Sequence, residues 1–315
     1  MRVLITGAGG FVGGHMSVFL REKGVRVYGT AHRQAAGGNI RCDLTDPKAV
    51  RALLKKIRPD RIIHLASQSS ATLSWKEPRE TMSANIFCAL NLLESARLAG
   101  VSPSVLIAGS AEEYGWVRPD EIPVKETAPL RPISPYAVSK IAQDFLSYAY
   151  YRARGLGVIR ARAFWHTGPG QRADFALSSF ARQTALIEAG RQKPVLKTGN
   201  LDVVRDFTDV RDVAKAYWLL LEKGIPGEVY NVASGKGVSL KEIVRFYQKH
   251  ARVKFRVRRD EKRVRRLEPP VVIGDASKLR KATGWRPEIP RETTWMDLLN
   301  FWRNQIGSER TAKEN

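Results

Sequence analysis

The chain has 315 residues, enough for about two domains at the usual ~150 residues each, and its 43% hydrophobic content with seven Trp excludes a disordered or fibrous chain. Its 53 Lys and Arg against 31 Asp and Glu leave a net charge of +22, which calls for an anionic partner, either a nucleotide or a nucleic acid. No apolar run reaches the ~18–20 residues that cross a bilayer. The N-terminal apolar stretch is short and ends in glycines, unlike a signal peptide. Cys42 and Cys88 make neither a disulfide framework nor, with His, a metal site. A soluble, cytoplasmic, globular protein with no membrane association and no bound metal is expected.

The first ~165 residues alternate apolar runs with helical patterns, the signature of βαβ units on a parallel sheet. Strands are predicted at Arg2–Thr6, Val25–Tyr28, Arg61–Leu65, Ser104–Ala108 and Gly157–Ala161. A helix runs from Phe11 to Lys23. Another is marked by Ile86, Ala89, Leu90, Leu93 and Ala96 at helical spacing, and Pro135 opens a third. Beyond residue 165 the pattern loosens. Helices are expected at 174–189, 210–222, 239–250 and 291–304, a strand at Glu228–Val232, and a frayed polar end from about Gly307. The segment 252–266 carries nine basic residues and two acidic ones. No nucleic-acid-binding motif accompanies it, so no physiological nucleic acid is expected.

The first strand runs into Gly7-Ala-Gly-Gly10-Phe-Val-Gly13 and then a helix. Glycines there let the backbone turn tightly and approach a pyrophosphate, while the helix N-terminus faces the anion. An NAD site places an acid at the end of the second strand. Here the chain reads Tyr28-Gly-Thr-Ala-His32-Arg33, with a cation and no acid, which suits a 2′-phosphate. NADP(H) is therefore expected, with NAD(H) as the alternative.

Ser134-Pro-Tyr136-Ala-Val-Ser-Lys140 puts a phenol and an ammonium four residues apart on one helical face. A phenol titrates near ~10, and a neighbouring cation favours its ionised form. Ser110 follows the fourth predicted strand, at the sheet edge where ligands bind in such folds. These features, with Ser110–Gly115, His166–Gln171, Gly199–Asp212, Arg265–Glu268, Gly274–Lys278 and Gly284–Pro287, resemble the extended short-chain dehydrogenase/reductases that act on nucleotide sugars. The chain is most similar to the GDP-mannose branch, comprising GDP-4-keto-6-deoxy-D-mannose reductases and GDP-mannose 4,6-dehydratases, and within it to the reductases.

The resemblance implies an α/β fold: a Rossmann-type doubly wound parallel sheet with a smaller α/β substrate-binding domain. Residues 1–165 with about 204–234 would bind the cofactor. Residues 166–203 and 235–307 would bind the nucleotide sugar, and 308–315 would form a polar tail. Ser110, Tyr136 and Lys140 become the catalytic set, with Glu112 as an acid/base. Gly7, Gly10, Phe11, Val12, Gly13, His32, Arg33, Asp43, Leu44, Leu65, Ala66, Tyr136 and Lys140 become cofactor contacts, Asp43-Leu44 at the adenine. Asn85, Glu112, Trp165, Lys197, Arg205, Arg265 and Glu268 become substrate contacts. Trp165 departs from the pattern, since relatives have Asn directly before the His-x-Gly-Pro-Gly motif. The implied reaction reduces a 4-keto sugar to GDP-D-rhamnose. The alternatives are the dehydratase, for which the chain is short, a bifunctional enzyme, and a non-catalytic NADP- or RNA-binding protein. The aromatic run Phe145–Tyr151 fits a four-helix homodimer interface.

Overall fold

Strands that are apolar on both faces need cover on both, and the chain supplies it by returning a helix after nearly every strand. A computed structural model describes residues 1–32, 38–265 and 267–314, the last six by their backbone alone. The elements begin β1 (Arg2–Thr6), α1 (Phe11–Glu22), β2 (Arg26–Ala31), β3 (Ile40–Arg41), α2 (Pro47–Ile57) and β4 (Arg61–His64). Next come α3 (Ala71–Lys76), α4 (Pro78–Met82), α5 (Cys88–Leu98), β5 (Ser104–Ser110), α6 (Pro135–Arg154), β6 (Val158–Ala163) and β7 (Trp165–Thr167). The chain then forms α7 (Ala176–Glu188), β8 (Val195–Thr198), β9 (Val204–Asp209), α8 (Val210–Lys223), β10 (Val229–Val232) and β11 (Gly237–Ser239). It ends with α9 (Leu240–His250), β12 (Arg256–Arg259), β13 (Val271–Val272), α10 (Ser277–Thr283) and α11 (Arg291–Glu314).

Seven strands form one parallel sheet in the order β10-β6-β5-β4-β1-β2-β3. The order reverses beside β1, so the crossovers cover both faces. Residue alternation does the sorting. Val3, Ile5, Ile63 and Leu106 point to the face covered by α1 and α8, while Leu4, Ile62, Val105 and Ile107 point to that of α2 and α5. Every strand expected in the first half, and the later one near 228–232, lies in this sheet.

A smaller sheet pairs β9 with β11, β13 and β7, and β8 pairs with β12. Leu177, Phe180, Val238, Ile243, Tyr247, Trp295 and Leu298 form a separate core under α7, α9 and α11. The basic segment is thus part of the architecture, with β12 in register against β8. Where a frayed end from Gly307 was expected, α11 continues to Glu314. Among the described residues no helix is long and apolar enough to cross a membrane.

Candidate active site

The glycine loop is held flush against the loop after β4. Gly7 has φ +73°, and a Cβ there would sit 2.9 Å from the Ala66 backbone; a Cβ on Gly13 would meet Gly7 O at 2.2 Å. Gly10 caps α1 with no side chain, so the first amides of the helix are left for an anion. This cradle fits a dinucleotide pyrophosphate. Phe11 stacks on His166 at 6.2 Å, joining the loop to β7. Val12 and Leu65 pack against the core beneath. His32 is exposed at the end of β2, with Nδ1 3.7 Å from Asp43 Oδ1. Asp43 also accepts from Thr45 N and Oγ1, which lowers its pKa together with a smaller contribution from His32. Arg33 lies outside the described residues. Leu44 is buried in the core beside Asp43, and its carbonyl accepts from Asn91 Nδ2.

Ser110 ends β5 and caps the short 3-10 turn Ala111–Glu113. Its Oγ accepts from Glu112 N, and its own N–H donates to Glu113 Oε1 at 2.7 Å. Ser134 caps α6 and Pro135 takes the first helical position, so Tyr136 and Lys140 fall one turn apart facing Ser110. Burial raises the Tyr136 pKa, and a hydrogen bond with the Ser110 side chain opposes it. The Lys140 ammonium is engaged elsewhere, donating to Ala108 O at 2.6 Å and Gln143 Oε1 at 2.7 Å. The lowering of the phenol expected from Lys140 is therefore not found: burial outweighs the Ser110 hydrogen bond, and the Tyr136 pKa lies above its ordinary value.

Beyond Ser110 a pocket opens, lined by Glu112, Trp165, Arg205, Arg265 and Glu268 among others. Five of the expected substrate contacts meet there. Arg205 lies over the Trp165 ring at 5.0 Å, donates to Val204 O and reaches Glu268 at 3.4 Å; burial lowers its pKa. Trp165 thus supports Arg205 with its ring face where an amide would hydrogen-bond. Arg265 reaches across to Glu112 at 3.3 Å. Two expected contacts are elsewhere. Asn85 is fully buried, with its amide spent on Gln68 N, Gln68 O and Ser139 Oγ, so it ties the loop after β4 to α6. Lys197 faces outward from β8, away from this pocket, because its neighbours Leu196 and Thr198 point into the core.

Behind Ser110 lies a buried charge network. Glu113 accepts from Arg162 Nε at 2.8 Å, Arg162 also pairs with Asp144, and Asp144 pairs with Arg160. Burial and the nearby Asp144 raise the Glu113 pKa, with Arg162 opposing. The spacing Ser110-x-x-Glu113 carried the signal, being that of a capping box. His64 lies at the end of β4 with Nδ1 2.8 Å from Thr6 Oγ1; burial, reinforced by Lys140, pushes its pKa down to about 3. A depressed histidine loses folded-state stability as pH falls from the unfolded pKa near ~6.5 toward the folded one. We expect unfolding free energy to drop by several kcal/mol over that window, about 1.4 kcal/mol per pKa unit. Urea titrations should show His64→Gln flattening that part of the slope, and an unchanged slope contradicts the assignment.

A parallel sheet with this glycine cradle, a Ser/Tyr/Lys set at the end of β5 and a second pocket beside it define an extended short-chain dehydrogenase/reductase. The chain belongs to the GDP-mannose 4,6-dehydratase family, whose profile matches residues 4–297. It is 36% identical over 310 residues to GDP-6-deoxy-D-mannose reductase of Pseudomonas aeruginosa, covering 98% of this chain and 99% of that one. A GDP-mannose 4,6-dehydratase of Yersinia enterocolitica is 29% identical over 364 residues, covering 100% and 97%. The solved structure of RMD from P. aeruginosa complexed with NADPH superposes with a TM-score of 0.88 at 35% identity, covering 96% of this chain and 99% of that one. Thermus thermophilus UDP-glucose 4-epimerase, complexed with NAD, gives 0.84 at 29%, covering 96% and 99%.

Proposed function

We propose that the chain is an NADPH-dependent reductase of the 4-keto group of GDP-4-keto-6-deoxy-D-mannose, forming GDP-D-rhamnose, and that NAD(H) is a poorer substitute. The carrying observation is continuity: Ala111 and Glu112, next to Ser110, line the same pocket as Arg205, Arg265 and Glu268. A nucleotide diphosphate held by the arginines would present its sugar to Ser110. Residues 1–165 with about 204–234 would bind the cofactor, and 166–203 with 235–307 the nucleotide sugar.

Held by the glycine loop at Gly7, Gly10 and Gly13, a nicotinamide cofactor would supply the hydride for C4. The Ser110 hydroxyl holds the keto oxygen, and Tyr136 gives that oxygen its proton. Lys140 supplies the positive charge that lets the phenol part with it. Reduction with NADPH followed by sugar analysis tests the reading; GDP-D-rhamnose is expected, and recovery of unreduced ketone contradicts it. A dehydratase reading finds support in Glu112 standing in the pocket. Arg265→Ala should raise KM for the GDP-sugar about tenfold or more, the scale of a charge-assisted contact, and change kcat less. An unchanged KM removes Arg265 from the substrate site.

A homodimer through α5 and α6 is part of this proposal. Val138, Phe145 and Tyr148 on α6, and Phe87 and Leu98 beside them at α5, are large and exposed. A cytoplasmic location agrees with the free, buried thiols of Cys42 and Cys88.

A further inference from the structure

The ammonium of Lys140 has three N–H donors and nothing with which to accept. One goes to Ala108 O at 2.6 Å and one to Gln143 Oε1 at 2.7 Å, with both side chains almost fully buried. Gln143 stands three residues further along α6, and the cation dictates that its amide present oxygen. That orientation leaves Gln143 Nε2 buried with no partner among the described residues. An orphaned amide is unfavourable, and an apolar side chain would fill the same space without that cost. Its retention calls for a reason, and the contact with Lys140 supplies one.

We propose that Gln143 is a positioning residue that fixes Lys140 against β5 and keeps it an ammonium. The inference rests on Lys140 belonging to the catalytic set. Burial opposes that charge, whereas Glu113, from the turn after β5, supports it. His64 of β4 also faces the ammonium and is held neutral. Tyr136 lies one turn back on the same helix. Behind Glu113, Asp144 lies between Arg160 and Arg162, which leaves one positive charge that Glu113 also faces, and Glu94 of α5 meets α6 at its far end through Tyr150. Gln143 is the neutral acceptor that tips this balance toward the charged amine.

Gln143→Leu removes an acceptor of the charged form, so the Lys140 pKa should fall. The alkaline limb of kcat/KM should move down by about one pH unit, the scale of one hydrogen bond to an ammonium. The Kd for NADPH, read by fluorescence quenching, should weaken about three- to tenfold above that limb and converge with wild type below it. Gln143→Glu should move the limb up and keep the tight Kd, and it provides the comparison if the leucine variant does not fold. Limbs that stay at the wild-type pH in every folded variant, or a loss equal at all pH values, overturn the proposal. Lys140→Met separates the two readings. If it is inactive while the Gln143 limbs do not move, only this inference fails; if it stays active, the catalytic assignment of Lys140 fails as well.

Discussion

Tyr136→Phe is expected to lower kcat by about 10²-fold or more while leaving KM and cofactor binding nearly unchanged. The phenol is buried beside Ser110 at the start of α6, and burial raises its pKa, so it stays protonated and able to donate at neutral pH. Phenylalanine keeps the ring and its packing and removes the hydroxyl, and with it the donated proton and the hydrogen bond with Ser110. The pocket lined by Arg205, Arg265 and Glu268, proposed above for the nucleotide, lies on other elements and should not register the change. Stopped-flow oxidation of NADPH with steady-state KM measurement separates the two effects. A parallel loss of binding assigns Tyr136 to structure rather than to proton transfer.

The largest effect on stability is expected at Arg162. Its guanidinium serves Glu113 and Asp144 together, and all three are nearly inaccessible to water. Arg162→Met leaves Glu113 buried without a counter-charge and close to Asp144, which keeps only Arg160, and breaking a buried pair costs about 3–5 kcal/mol. Urea denaturation measures the loss. Because the penalty comes from the abandoned charges, adding Glu113→Gln should recover part of it. A loss below about 1 kcal/mol means the network is solvated in a way its burial contradicts.

The parallel half of the fold was legible because its strands are short apolar runs bounded by glycine and turn residues. Arg2–Thr6, Arg61–His64 and Ser104–Ser110 stand out on composition alone. α2 has a local signal too, with Asp46 accepting from Lys48 N and Pro47 in the first helical position, but its flanking strand β3 is only two residues long. β7, β8, β11, β12 and β13 have two to four residues each and owe their strand geometry to pairing partners far along the chain. No local window contains that information. β12, Arg-Val-Arg-Arg, reads as a charge run until Leu196 and its neighbours supply the ladder. At the site, Ser110, Tyr136 and Lys140 were legible because their chemistry is bound to local spacing. Gln143 and His64 were not, because each matters through a contact made by burial, whereas Glu113 had a local signal in its capping-box spacing from Ser110. Asn85 and Lys197 show the converse, since a residue of suitable type can be turned away from the pocket by its neighbours.

Cofactor stoichiometry tests the central claim most directly. Purified protein is mixed with a known amount of GDP-4-keto-6-deoxy-D-mannose and excess NADPH, and the absorbance change is compared with the ketone consumed; GDP-mannose is run in parallel. The reductase reading predicts one NADPH oxidised per ketone and no conversion of GDP-mannose. Conversion of GDP-mannose without net loss of NADPH, with the ketone left untouched, contradicts it and makes Glu112 the group on which the chemistry turns.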